Sequence, residues 1–243
     1  PIIREPGRSL AVGVTVKQSM GHLLLSGHDA GSALGSDPLG IMEPLIYLMP
    51  KIHKTPIGIR PIIPSHSWYT TTAAKYLHQQ LLPIVKECKW IILDRLDLIK
   101  ELENQQFENN KLSLSTIDVT ALYTSIDLDK GLKIVENICR AYGRMTESKT
   151  KYFMALLQWV LSNNFFKYQD QWYKQEIGAA MGGNVSGTFA DLVVMGIELT
   201  YLNRTPKNMK PFLYRRYRDD ILIITDKATS AKTVASHLNQ CGM

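Results

Sequence analysis

Hydrophobic and polar positions divide this chain into segments before any chemistry is considered. Residues 1–40 hold seven of the sixteen glycines and several serines with no sustained period, which predicts a loosely ordered lead-in. From Pro44 the pattern sharpens. Leu45-Ile46-Tyr47-Leu48-Met49 is an apolar run of strand character, and the chain to Ile63 reads as a hairpin turning at Thr55-Pro56-Ile57-Gly58, where Pro and Gly suit a β-turn. Helical spacing runs from Tyr69 to Lys86, with Pro83 as its expected terminator, and again from Leu93 to Leu102 with Leu96, Ile99 and Leu102 on one stripe.

Leu112 to Val119 alternates and then turns apolar, which predicts a strand running into the core with Asp118 near its end. A lone Asp there is ordinarily a cap for the next element. Asp127 starts a helix on Leu128, Leu132, Val135, Ile138 and Cys139 that closes near Gly143, and Glu147 to Leu161 repeats the pattern with Phe153, Leu156, Leu157 and Val160. Phe165 to Tyr168 and Trp172 to Gln175 form an aromatic hairpin around Gln169-Asp170-Gln171. The loop Gly178 to Thr188 is built of small residues, and its bare backbone would let a large flat ligand approach closely. Thr188 with Asp191 resembles a capping box at the start of a helix reaching about Leu202. A final helix is expected around Ala228 to Leu238.

The stretch Tyr214 to Thr225 carries the candidate chemistry. Two strand-prone runs meet at a tight turn holding Asp219 and Asp220, and the run after it, Ile221-Leu222-Ile223-Ile224, is apolar enough to be buried. Adjacent carboxylates raise each other's pKa, so a rigid turn that fixes them needs a cation between them or water around them. A solvated Asp-Asp turn is the plainer reading of the dipeptide alone.

Composition narrows the class. The chain has 243 residues, 45% of them hydrophobic, enough for one large domain or two subdomains. No apolar run approaches the ~18 residues that a membrane helix requires, so no membrane partner is expected. The net charge of +6, clustered at Lys51/Lys54/Arg60, Arg204/Lys207/Lys210 and Arg215/Arg216/Arg218, suits a polyanionic partner, although any one cluster is as well explained as a solvated face. Cys88, Cys139 and Cys241 have neither disulfide nor zinc spacing, which suits a reducing intracellular setting. Pro1 opens the chain, so a longer parent protein is expected.

Four motifs stand in order: Pro50-Lys51-Ile52-His53-Lys54, Asp118-Val119-Thr120-Ala121-Leu122-Tyr123-Thr124-Ser125-Ile126, Gly178-Ala179-Ala180-Met181-Gly182 and Tyr217-Arg218-Asp219-Asp220. In this order the chain resembles a reverse transcriptase, most closely the Penelope-like retroelement family, over residues 45–243. The resemblance implies an α+β right-hand polymerase fold, with an antiparallel palm sheet packed on helices plus fingers, and with the thumb missing because the chain stops before it. Fingers would be drawn from about 41–110 and 128–177, and palm from about 111–127 and 178–243. It implies RNA-directed DNA polymerisation with an RNA template, a DNA primer and dNTPs, in the nucleus if the host is eukaryotic; it leaves the oligomeric state open.

By the same resemblance, Asp118, Asp219 and Asp220 are catalytic and hold two Mg2+ ions, with Mn2+ as a substitute, and the Val119 carbonyl is a further ligand. Hard oxygen donors suit Mg2+, and such paired ions stand ~3.5–4 Å apart. Arg60, with Lys51 or Lys54, would clamp the triphosphate; Tyr123 would sit under the incoming sugar and reject a 2′-hydroxyl, or else pack at the sheet's edge. Gln175 and Gly178 would border the nucleotide, and Met181, Gly182, Gly183, Tyr217 and Arg218 would meet primer or template. Arg218 departs from the family, which usually has an apolar residue there, and could pair with a carboxylate or touch primer phosphate. Asn184 and Gly187 stand where relatives often have proline. An RNA-dependent RNA polymerase of the same architecture is the alternative enzyme, opposed by Tyr123. A non-catalytic RNA-binding derivative is the other alternative, opposed by the three intact carboxylates.

Overall fold

The computed structural model describes residues 41–52, 55–106, 112–143, 145–225 and 231–241, together with the backbone of Val14–Val16. The strands are β1 (Val14–Val16), β2 (Tyr47–Lys51), β3 (Gly58–Ile62), β4 (Ser113–Asp118), β5 (Phe165–Tyr168), β6 (Gln171–Gln175), β7 (Leu213–Tyr217) and β8 (Asp220–Thr225). The helices are α1 (Thr71–Glu87), α2 (Arg95–Asn104), α3 (Leu122–Ser125), α4 (Leu128–Tyr142), α5 (Glu147–Ser162), α6 (Ser186–Arg204) and α7 (Ala231–Gln240). They form two compact units. One comprises Pro1–Leu77, Tyr123–Leu128 and Phe153–Ser186, the other His78–Leu122, Asp129–Tyr152 and Gly187–Met243.

In the first unit the basic hairpin forms as expected: β2 and β3 pair antiparallel from Tyr47 opposite Ile62 to Lys51 opposite Gly58. Side chains alternate across a strand, so this register puts Lys51 and Arg60 on one face of the hairpin. The aromatic hairpin also forms. Gln169 and Asp170 take positive φ angles of 47° and 62°, which makes its loop two residues long and leaves Gln171 in β6. Phe166 stacks on Tyr173 with ring centroids 5.5 Å apart, and Ile63, Ala180 and Ile46 pack around them. Contrary to the expectation of an unpatterned lead-in, Val14–Val16 adds to β6 as a third strand, Val14 opposite Gln175. A three-residue strand is too short to show a period, so the sequence pattern passes over it.

The second unit is organised on a three-stranded antiparallel sheet in the order β4-β8-β7. Its register runs from Ser113 opposite Thr225 to Asp118 opposite Asp220, and from Leu213 opposite Ile224 to Tyr217 opposite Asp220. Alternation then separates two faces. Ile117, Ile221, Ile223, Tyr214 and Arg216 share one, where Tyr201 of α6 and Val234 and Leu238 of α7 complete a core. Asp118, Asp220, Thr116, Leu114 and Tyr217 share the other, and all five are exposed. β4 is therefore an edge strand with one open face rather than a strand sunk in the core.

Three helix boundaries differ from the pattern. α1 passes through Pro83 to Glu87, because Ile84, Val85 and Cys88 beyond the proline are buried and hold the last turn against the lost backbone donor. α2 is capped by Asp94, whose side chain accepts from Leu96 N at 2.9 Å, but none of its residues is buried, so the Leu96/Ile99 stripe faces outward. α6 begins at Ser186, two residues before Thr188. Thr188 instead meets His78 Nδ1 at 2.6 Å, and Asp191 lies buried within the helix. Among the described residues no helix is long and apolar enough to cross a membrane.

Candidate active site

Asp118 ends β4 and Asp220 begins β8 directly opposite it, while Asp219 occupies the two-residue turn from β7. The backbone N–H of Val119 donates to the carbonyl of Asp219 at 2.9 Å, which ties the end of β4 to the turn. The strand pairing brings the three expected carboxylates together at one end of the sheet. Burial pushes the Asp220 carboxyl above its ordinary value, and the neighbouring charges of Asp219 and Asp118 push it further the same way. Among the described residues no side chain hydrogen-bonds or ion-pairs with any of the three.

These donors fit a divalent cation in chemistry: ionised carboxylates are hard, acceptor-only ligands, and here the charges of Asp118 and Asp219 act on Asp220. The cage itself is not formed, since among the described residues no three His, Cys, Asp or Glu side chains converge on a metal-sized position.

Beneath the turn lies a network that the sequence pattern did not reveal. Arg216 is 0% exposed on the helix-backed face of the sheet. Its Nε donates to Glu198 at 2.8 Å, one terminal nitrogen donates to Asp191 Oδ1 and to the Arg218 carbonyl at 3.0 Å each, and the other donates to the Asp191 carbonyl at 3.0 Å. Glu198 also accepts from Trp90 Nε1 and from the Tyr214 hydroxyl, each at 2.8 Å. Burial works against the charge of Arg216, but Glu198 and Asp191 hold its pKa above the ordinary value. Burial raises Tyr214 as well, with Glu198 adding to the shift. The signal was present in part: Arg216 shares parity with Ile221 and Ile223, and Asp191 and Glu198 stand seven residues apart on one helical stripe.

Arg218 takes a left-handed φ of 57°, and its guanidinium pairs with Asp191 Oδ2. Of the two fates open to it in sequence, pairing with a carboxylate is the one observed, and that carboxylate is Asp191 rather than a member of the trio at the strand ends.

The first unit holds the other candidates. Arg60 is exposed and Lys51 half-buried; Lys54 lies outside the described residues. Tyr123 is half-buried in α3, and its carbonyl accepts from Ala179 N at 2.7 Å. Gln175 is buried with its amide committed: Oε1 accepts from Asn164 at 2.9 Å and Nε2 donates to the Ile177 carbonyl at 2.8 Å. Gly178, at φ 77°, would place a Cβ 2.4 Å from the Tyr123 carbonyl, and Gly182, at φ 110°, one 2.4 Å from the Ile63 carbonyl. The close approach that these glycines permit is thus used by the protein's own backbone, with Ile63 N donating to Met181 O at 2.7 Å. Met181 and Gly183 are half-buried and Gly182 is exposed.

No family model matches the sequence, and no curated protein does. Solved polymerases resemble it in structure. A telomerase from Candida tropicalis truncated of its C-terminal domain superposes with a TM-score of 0.57 at 15% identity, over 82% of this chain and 45% of that one. Telomerase from Candida albicans with a fragment of telomeric RNA gives 0.59 at 12% identity, over 85% and 40%. An RNA-dependent RNA polymerase with double-stranded RNA gives 0.52 at 11% identity, over 81% and 19%. The class is therefore a nucleic-acid polymerase fold of right-hand type, mixed α and β. The chain spans under half the length of these structures.

Proposed function

We propose that this chain carries the polymerase core of an RNA-directed DNA polymerase from a retroelement of the Penelope-like kind. The observation that carries this reading is the pairing of Asp118 opposite Asp220, with Asp219 in the adjoining turn, at an exposed end of a sheet within a polymerase fold. Asp118 and Asp219 serve as the essential ligands of two Mg2+ ions, for which Mn2+ can substitute, with Asp220 and the Val119 carbonyl in support. When bound, these ions lower the pKa of the primer 3′-hydroxyl and neutralise the triphosphate and the departing pyrophosphate.

The chain's own groups orient the reactants. Arg60, and Lys51 on the same hairpin face, take the triphosphate, a bidentate guanidinium being suited to phosphate oxygens. The Tyr123 ring excludes a 2′-hydroxyl. Gln175 acts at one remove by pinning the strand end and loop that lead to Gly178, so that Met181, Gly182 and Gly183 can meet the templating pair. Tyr217, 47% exposed on the same sheet face as Asp118 and Asp220, offers a ring to the primer end. RNA as template agrees with the telomeric and double-stranded RNA in the neighbouring structures.

The test is primer extension on a homopolymeric RNA in Mg2+, with deoxy- and ribonucleotides compared, by the chain and by the open reading frame that carries it. Incorporation of deoxynucleotides that is lost in Asp219→Asn is expected. Preference for ribonucleotides would instead mark an RNA-dependent RNA polymerase, and RNA binding with no incorporation of either would mark a non-catalytic derivative.

A further inference from the structure

The second unit sets a cation beside its own metal-binding carboxylates and then engages it elsewhere. Arg218 is the immediate neighbour of Asp219, and its guanidinium could neutralise the very charges that a divalent ion needs. Its side chain instead pairs with Asp191, which is 3% exposed, on the helix-backed side of the sheet. Asp191 divides its two oxygens between guanidiniums, Oδ1 accepting from Arg216 and Oδ2 from Arg218. Both oxygens are thus taken by guanidinium donors, and although burial raises the Asp191 pKa, the charges of Arg216 and Arg218 oppose that shift. Arg216 and Arg218 then balance Asp191 and Glu198, two charges against two, while Asp118, Asp219 and Asp220 have no counter-charge among the described residues. The bond from Arg216 to the Arg218 carbonyl, at 3.0 Å, holds the left-handed residue whose side chain must turn away.

We propose that Asp191 sequesters Arg218, keeping the guanidinium at the variable position of the Tyr-x-Asp-Asp turn from occupying the carboxylates that bind divalent cations. This rests on the polymerase reading for the identity of the cation site. It makes Asp191 a positioning residue that acts through Arg218. The chemistry is a competition between an internal guanidinium and an external ion for the same oxygens. Arg218 is only half-buried, so once released it has room to reach the unpaired carboxylates of its own turn.

Mn2+ binding, measured by calorimetry and by the electron paramagnetic resonance of the free ion, tests this without any need for catalysis. Wild type, Asp191→Asn, Arg218→Met and the double variant are compared, with folding checked by circular dichroism. Asp191→Asn keeps an oxygen for Arg216 but loses the charge that holds Arg218, and is expected to weaken Mn2+ binding about tenfold, equivalent to a shift of about one pKa unit at the competing carboxylates. Arg218→Met removes the competitor, so it and the double variant are expected to bind within about twofold of wild type, a coupling that only contact between the two residues produces. A folded Asp191→Asn of wild-type affinity overturns the proposal, as does a double variant as weak as Asp191→Asn alone. If Asp191→Asn does not fold, Arg218→Met decides: affinity at or above wild type supports sequestration, and a tenfold loss overturns it. Should wild type take up no Mn2+, or Asp219→Asn take it up equally well, the polymerase reading itself fails and this inference with it.

Discussion

Replacing Arg216 with methionine should be among the most damaging single changes in the second unit. The methionine fills most of the volume, so the loss is one of charge and hydrogen bonding rather than of packing. Four donor contacts disappear: to Glu198, to Asp191 Oδ1, to the Asp191 carbonyl and to the Arg218 carbonyl. Glu198 retains Trp90 and Tyr214, and Asp191 retains Arg218, but Glu198 is left as a carboxylate at 0% exposure with no cation. Breaking a buried pair from one side costs roughly 3–5 kcal/mol. For a chain of this length each kcal/mol moves the melting temperature by about 2–4 °C, so a drop of roughly 6–20 °C is expected. Thermal melts followed by circular dichroism at neutral pH measure it. A companion variant carrying Glu198→Gln as well should recover part of the loss, because the stranded charge is then gone. A single variant melting within about 2 °C of wild type, below the effect of even one kcal/mol, would refute the view that this network holds the sheet to its helix.

Three further outcomes follow from the same geometry. Asp118→Asn or Asp219→Asn should abolish primer extension while leaving the protein folded, since each removes a negative ligand at constant size; activity near wild type in either would sink the two-metal assignment. Tyr123→Ala should admit ribonucleotides without tightening template binding, and unchanged discrimination in a steady-state competition assay would make Tyr123 a packing residue. For Asp220 the folded-state pKa is raised, by burial first and then by Asp219 and Asp118, so its ionisation destabilises the fold once pH exceeds that raised value and has no effect below the ordinary carboxylate range. Asp220→Asn in chelator should therefore melt higher than wild type at neutral pH, with the advantage disappearing on acidification. An advantage that stays constant down to acid pH would show that repulsion is not its source.

What the sequence disclosed came from period and turn chemistry. The hairpins at Lys51/Gly58, Tyr168/Gln171 and Tyr217/Asp220 were legible because each joins alternating runs through a short polar or Pro/Gly turn, and a two-residue turn leaves the register little freedom. The last of these registers sets Tyr217 opposite Asp220, whereas Asp118 comes opposite Asp220 through the long-range pairing of β4 with β8, which no turn fixes and which the sequence offered only through the family resemblance. Features decided by tertiary contact were not readable. Pro83 is carried inside α1 by the burial of residues after it, Val14–Val16 becomes a strand only because β6 offers an edge, and the close approach of Gly178 to the carbonyl of Tyr123 has no trace in the local pattern.

The three arginines around the catalytic turn show most sharply why charge read from sequence misleads about partners. In sequence Arg215, Arg216 and Arg218 form one basic cluster beside an acidic pair, and they count alike toward affinity for a polyanion. In the structure each is spoken for: Arg215 by Glu101, with its Nε 2.7 Å from a carboxylate oxygen, Arg216 by Glu198 and Asp191, and Arg218 by Asp191. Strand alternation sends Arg215 and Arg216 to opposite faces, so one residue of spacing separates a half-buried surface pair from a fully buried one. By contrast Arg204, the last residue of α6, and Lys207 and Lys210, in the connection from α6 to β7, have no ion pair among the described residues, and neither have Lys51 and Arg60 on the first unit's hairpin. Counterion release depends on cations that a phosphate can reach. The salt dependence of nucleic-acid binding should accordingly fall when Lys51, Arg60, Lys207 or Lys210 is neutralised, and stay constant when Arg215 is replaced by Gln together with Glu101 by Gln. A steeper loss of salt slope from the Arg215/Glu101 pair than from the hairpin or the α6–β7 connection would show that the internal pairing does not withhold these charges from the partner.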